Sequence, residues 1–101
     1  MVTQNKPKFK LGRVVATQGA VEALNKANQT PNPFLKKHQY GDWGDICKED
    51  ATLNDEAIAH EGEEDKQMRV MSVYKTNRNE TIWLITEWTR EVTTLLLPSE
   101  Y

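Results

Sequence analysis

Met68-Arg69-Val70-Met71-Ser72-Val73-Tyr74, Thr81-Ile82-Trp83-Leu84-Ile85-Thr86-Glu87 and Val92-Thr93-Thr94-Leu95-Leu96-Leu97 are the three runs that decide the fold of this chain. Each is rich in β-branched and aromatic side chains, the residues that pack well on a pleated surface. The links at 76–80 and 88–91 are long enough for turns and too short for crossovers. The spacing therefore predicts consecutive antiparallel strands over 68–75, 81–87 and 92–97, the last one stopped by Pro98.

Upstream the period changes. Phe9-Lys10-Leu11-Gly12-Arg13-Val14-Val15-Ala16 reads as a further strand over 9–16, with Gly12 as a bulge, joining the sheet at an edge or in its centre. Thr17 offers a hydroxyl cap to a helix over 18–28, in which Ala20, Val21, Leu24 and Ala27 form one apolar stripe. Asn32 and Pro33 open a short helix through His38, anchored by Phe34 and Leu35. Asp45 caps a turn through Ile46 to Asp50, and Thr52 a further helix to Glu61, ended by Gly62. The inward candidates there are Ile46, Leu53, Ala57 and Ile58, and Glu63, Glu64 and Asp65 form a solvated link. The order β-α-α-α-β-β-β points to an α+β fold: a three- to four-stranded, mostly antiparallel sheet with helices packed on one face. Residues 1–8 read as a flexible N-terminal arm and 9–101 as a single domain.

Between the helices lies His38-Gln39-Tyr40-Gly41-Asp42-Trp43-Gly44-Asp45. It gathers a histidine, two carboxylates, two aromatics and two glycines, the composition of a tightly shaped connection with chemistry on it. His38, Tyr40, Asp42, Trp43 and Asp45 are accordingly the candidate functional residues. With His60, His38 and the two aspartates have the donor types for a divalent ion or a proton relay. Asp42 and Asp45 also stand where turns and caps need oxygen acceptors, and His60 suits the C-terminus of a helix. The flanking glycines let Trp43 approach the body of the protein, so its ring is expected to be more than half buried.

The chain has 101 residues, 38% of them apolar and 28% charged, which suits one globular domain. Its net charge of −2 hides a segregation. Residues 1–44 carry seven Lys or Arg against two acids, and residues 45–65 carry nine acids against one lysine. The acidic stretch is either a solvated helix face or a surface that meets a basic partner or imitates DNA phosphates. Lys6, Lys8, Lys10 and Arg13 can contact phosphates, or simply guard a strand edge against unwanted pairing. Trp83 and Trp88 flank a strand end and, with Ile82, Leu84 and Leu96, would form an apolar contact surface if only one side of the sheet is covered.

Cys47 is alone, so no internal disulfide is possible and a cytoplasmic location is expected. Lysines break up the N-terminal stretch where a secretory signal would need an apolar run, and no membrane span is expected. Neither a GxSxG elbow, a GxxxxGK[ST] loop nor a GxGxxG fingerprint occurs, and no cofactor or metal is expected. Asn32-Pro33-Phe34 lacks the second proline of the adenine-methyltransferase element and reads as a helix start.

Leu11-Gly12-Arg13-Val14-Val15-Ala16-Thr17, Gly41-Asp42-Trp43-Gly44-Asp45, Ile82-Trp83-Leu84-Ile85-Thr86-Glu87 and Thr93-Thr94-Leu95-Leu96-Leu97-Pro98-Ser99-Glu100-Tyr101 occur in this order. In these segments the chain resembles a family of short bacterial proteins found on plasmids and other mobile elements. Some members are labelled as a type I restriction methylation subunit, a label that the motifs here do not support. The resemblance implies a cytoplasmic accessory protein of a mobile element and transfers no catalytic residue. The expected function is a non-enzymatic interaction module for an unknown protein partner, with weak or no binding of nucleic acid. Two alternatives are a small metal-dependent hydrolase or nuclease centred on His38, Asp42 and Asp45, and an acidic DNA-mimicking anti-restriction or anti-defence protein using residues 45–65.

Overall fold

In the computed structural model, which describes residues 6–101, the three runs at the C-terminal end form the expected meander. Strands β2 (Val70–Lys75), β3 (Thr81–Thr86) and β4 (Val92–Leu96) pair antiparallel in sequence order. Asn79 and Arg90 take positive φ in the two connecting turns. Strand β1 (Arg13–Ala16) adds beside β4 in parallel, so the four-stranded order is β1-β4-β3-β2. The fold is α+β, as the element order implies, with the early strand at an edge.

That strand is shorter than expected. Gly12 has φ +65 and lies directly against the Glu91 backbone, so the chain turns there and pairing starts only at Arg13. Phe9 points into the interior instead of alternating along a strand. Residues 1–5 of the expected arm lie outside the described residues, and at its other end the Lys8 N–H donates to the Gln39 carbonyl at 2.8 Å.

Helix α1 (Gln18–Lys26) starts where expected, the Thr17 hydroxyl accepting from the Ala20 N–H. Its buried stripe is Ala20, Ala23 and Leu24, continued by Ala27 beyond the helix; Val21 instead stands 43% exposed. Helix α2 (Asn32–Gln39) buries Phe34, Leu35 and His38, and Pro31, not Asn32, is its cap residue. A single helix α3 (Lys48–Ala59) replaces the expected turn and second helix, because Cys47 already takes the cap position. Leu53, expected inside, is 51% exposed, and its neighbour Asn54 is buried in its stead.

The helices meet one face of the sheet. Alternation places Val70, Ser72, Tyr74, Ile82, Leu84, Thr86, Thr93 and Leu95 on that face, all of them buried. Leu84, Ile82 and Leu95 form the main core with Ala20, Leu24, Phe34 and Leu35. A second core joins Phe9, Trp43, Ala57 and Val70 between the N-terminal segment, α3 and the start of β2. Ile82 and Leu84, which the sequence suggested for an outer apolar surface, are fully buried under the helices. The outer surface is made by their alternates, Trp83 and Ile85.

Candidate functional site

His38 projects from the inner side of α2 into the sheet, where it is 0% exposed. Its Nδ1 lies 2.5 Å from the Ser72 Oγ and its Nε2 2.9 Å from the Thr86 Oγ1. Thr86 continues to Thr93 at 2.7 Å, and the Thr93 hydroxyl donates to the Leu11 carbonyl at 2.7 Å. Counting protons orders this chain. Thr93 gives its only proton to Leu11, so Thr86 must donate to Thr93, and the His38 Nε2–H must donate to Thr86. With the ring kept neutral by burial, Nδ1 accepts the Ser72 hydroxyl.

Burial, reinforced by the nearby Arg90 charge, pushes the His38 pKa down to about 3. A neutral, fully enclosed imidazole with both nitrogens engaged ties α2 to β2 and β3. The Phe9 ring meets it edge-on at 5.1 Å and the indole of Trp43 at 6.1 Å, so its remaining surroundings are aromatic.

The connection after His38 does its work on the backbone. Val73 of β2 donates its N–H to the Trp43 carbonyl at 3.0 Å and accepts from the Asp45 N–H at 2.7 Å. This short parallel bridge requires Gly44, which has φ +74 and sits where any Cβ would overlap the Val73 carbonyl oxygen. Asp42 accepts the Gly44 N–H at 3.2 Å with its carboxylate, and its carbonyl accepts the Tyr74 hydroxyl. Burial holds that phenol well above its ordinary pKa. Trp43 is 8% exposed, as its flanking glycines suggest, and its Nε1 donates to Asp55 on α3 at 3.3 Å.

Of the remaining candidates, Tyr40 is the half-buried cap residue of α2, and the Asp45 side chain is exposed. The hydrogen-bond partners of His38 are thus Ser72 and Thr86, whereas the Asp42 carboxylate serves its own turn. His60 caps the end of α3 and bonds Glu63 at 3.0 Å. Among the described residues no three His, Cys, Asp or Glu side chains converge on one point.

Two groups that the sequence reading passed over carry much of the construction. Asn54 on α3 donates to the Met71 carbonyl at 2.6 Å and accepts the Met71 N–H at 3.1 Å. Arg90, 6% exposed, forks onto Glu61 at 2.7–3.1 Å, donates to the Met68 and Glu87 carbonyls, and lies over the Phe9 ring at 5.5 Å. Both are polar residues in otherwise ordinary surface patterns; only Asn54, set inside the helix between Leu53 and Ala57, carries a visible cue.

Among the described residues no α-helix covers the opposite face of the sheet, where only the short 3-10 turn Pro98–Glu100 meets β3. Register places Met71, Ile85, Thr94 and Val15 in one row across that face, and Val73, Trp83 and Leu96 in the next. Met71, Val73, Trp83 and Ile85 are half-buried by their own neighbours, and Tyr101 leans edge-on against Trp83 at 5.4 Å. Leu53 and Met68 flank a groove of about 170 Å³ that runs along the Met71 border of this face. Arg13, Arg69, Lys75 and Glu87 follow the same alternation and form its charged ends. Of the side chains expected on an outer apolar surface, Ile82, Leu84 and Leu96 are buried and Trp83 is half-buried, with Met71, Val73 and Ile85 beside it on this face. Trp88, 52% exposed, stands in the β3–β4 turn.

The acidic segment 45–65 is mainly helix α3. Part of its charge serves the fold: Asp55 holds Trp43, Glu61 holds Arg90, and Glu63 joins His60 and Lys66. No helix among the described residues is long and apolar enough to cross a membrane. Comparison with protein-family models, with curated proteins and with solved structures returns no match.

Proposed function

We propose that this chain is a non-enzymatic interaction module that holds a partner protein on the open face of its sheet. The observation that carries this reading is the patch of half-buried apolar side chains, Met71, Val73, Trp83 and Ile85, on the face of the sheet that the described α-helices leave open. Apolar patches rimmed by charge mark protein contact sites. Arg13, Arg69 and Lys75 outnumber Glu87 around it, which favours a partner whose apolar surface has acidic flanks.

The candidate residues of the 38–45 connection support the same reading from the other side, since His38, Asp42 and Trp43 are engaged in holding the fold. The setting rests on the sequence resemblance: a cytoplasmic accessory protein of a plasmid or other mobile element, acting in plasmid maintenance or in the contest with host defence. Binding to free DNA on this reading is weak and salt-sensitive, because the basic N-terminal segment and the acidic α3 share one small surface.

The test is affinity capture from the native host followed by mass spectrometry, with wild type beside Trp83→Lys and Ile85→Lys. One protein retained by the wild type and lost with both folded variants supports the module. Metal-dependent phosphoester hydrolysis that disappears in Asp42→Asn would overturn it in favour of an enzyme.

A further inference from the structure

The sheet has two edges, and only one is covered by the described residues. At the β1 edge, the Arg13 N–H donates to the Glu91 carbonyl and the Thr17 N–H to the Leu95 carbonyl. In a parallel ladder alternate residues face the neighbouring strand, so Arg13, Val15 and Thr17 spend their main-chain groups on β4. Val14 and Ala16 therefore point both N–H and C=O away from the sheet. All four residues of β1 are exposed, Val14 at 42% and Val15 at 36%. Val21, on the first turns of α1 just beyond, is another of the few large apolar side chains left exposed.

The charges at the two ends of this strand are opposite. Arg13 stands exposed at its start. Glu100 stands exposed at its end, accepting from the Thr17 hydroxyl, from the Gly19 N–H at 3.0 Å and from the Leu97 N–H at 2.8 Å. An antiparallel copy of the same strand would reverse the order of these charges. A parallel copy, or an unrelated strand, has no such built-in match.

We propose that two copies of this chain join through their β1 strands, antiparallel about a two-fold axis at Val15. In this register Val14 of one copy and Ala16 of the other exchange both main-chain hydrogen bonds, and Val15 faces Val15. Arg13 then lies opposite Thr17 of the second copy, beside the carboxylate of Glu100, and symmetry repeats the pair. The result is one continuous sheet in which both sets of helices lie on the same side and the two open faces merge. The interface is isologous and closes on itself, so it gives a dimer and not a fibre. A contact this short is reversible and responds to concentration by mass action. Arg13 and Val15 border the open face as well, but Trp83 and Ile85 lie on β3, away from the edge, so their variants separate this inference from the partner-binding reading.

Sedimentation equilibrium on wild type, Arg13→Glu, Val14→Pro and Trp83→Lys, from about 10 μM to about 1 mM, tests it. Wild type should pass from monomer to dimer within this range. Arg13→Glu, an exposed change, should weaken the dimer about tenfold, since two attractive pairs become repulsive. Val14→Pro removes an N–H that the sheet itself does not use, and should be monomeric with unchanged far-UV circular dichroism. Trp83→Lys should dimerise like wild type. A wild type that stays monomeric throughout overturns the proposal. So does a dimer that Arg13→Glu leaves intact, or one that Trp83→Lys abolishes.

Discussion

The two edges of the sheet meet the same physical problem and solve it in opposite ways. Along β2, the outward main-chain groups belong to Met71, Val73 and, at the end of the strand, Lys75. Asn54 takes both groups of Met71, and Trp43 and Asp45 take those of Val73. Along β1, the corresponding groups of Val14 and Ala16 face outward from an exposed strand. A strand edge with free amides is a template for pairing, and natural sheets usually shield it. Here most of one edge is shielded by an elaborate connection and a helix side chain, while the other is short, apolar and not covered by any of the described residues. The contrast makes the 38–45 region a structural seal and shifts attention for recognition to β1 and the open face.

Truncating the ring that anchors the covered edge should have the largest effect. Trp43→Ala removes a buried indole from the second core and should cost about 3–5 kcal/mol in a denaturant titration. An unchanged midpoint would mean that the seal does not depend on its anchor. Next comes Asn54→Ala, which leaves both polar groups of Met71 without their partner. It should cost about 1–3 kcal/mol by the same measurement.

The third effect depends on pH. His38 titrates near 6.5 in the unfolded chain and at about 3 in the folded one. Between these values the unfolded state binds the extra proton, so stability is fully present above 6.5 and falls as the pH is lowered. The slope from this group is about 1.4 kcal/mol per pH unit. His38→Gln should flatten the wild-type loss between pH 6 and 4 by about that amount. Parallel stability curves would show that His38 is not held neutral. The smallest effect belongs to the uncovered edge: Val15→Lys should change monomer stability by less than about 0.5 kcal/mol.

These positions also show what could be read from the residues themselves. The meander was legible because β-branched runs separated by links of a few residues leave no other topology. Trp43 was legible through Gly41 and Gly44. Leu53 misled because α3 faces the core with a narrow stripe, and its inward position beside the strand edge is taken by Asn54, whose value lies in two main-chain bonds rather than in apolar area. His38 looked like chemistry in the sequence because its partners, Ser72, Thr86 and Thr93, are distant in the chain. Their positions at the inward parity of three strands were the available cue that a buried polar chain awaited them. The short β1 was hidden by Gly12, whose left-handed turn breaks a run that otherwise continues back to Phe9.

Native-state hydrogen exchange at single residues tests the difference between the edges most directly. In dilute solution the amides of Met71 and Val73 should exchange at least about a hundredfold more slowly than those of Val14 and Ala16. At high protein concentration, Val14 and Ala16 should gain protection while Met71 and Val73 stay as they were. Equal exchange at the two edges in dilute solution would contradict the account, because the covered and the open edge would then be the same.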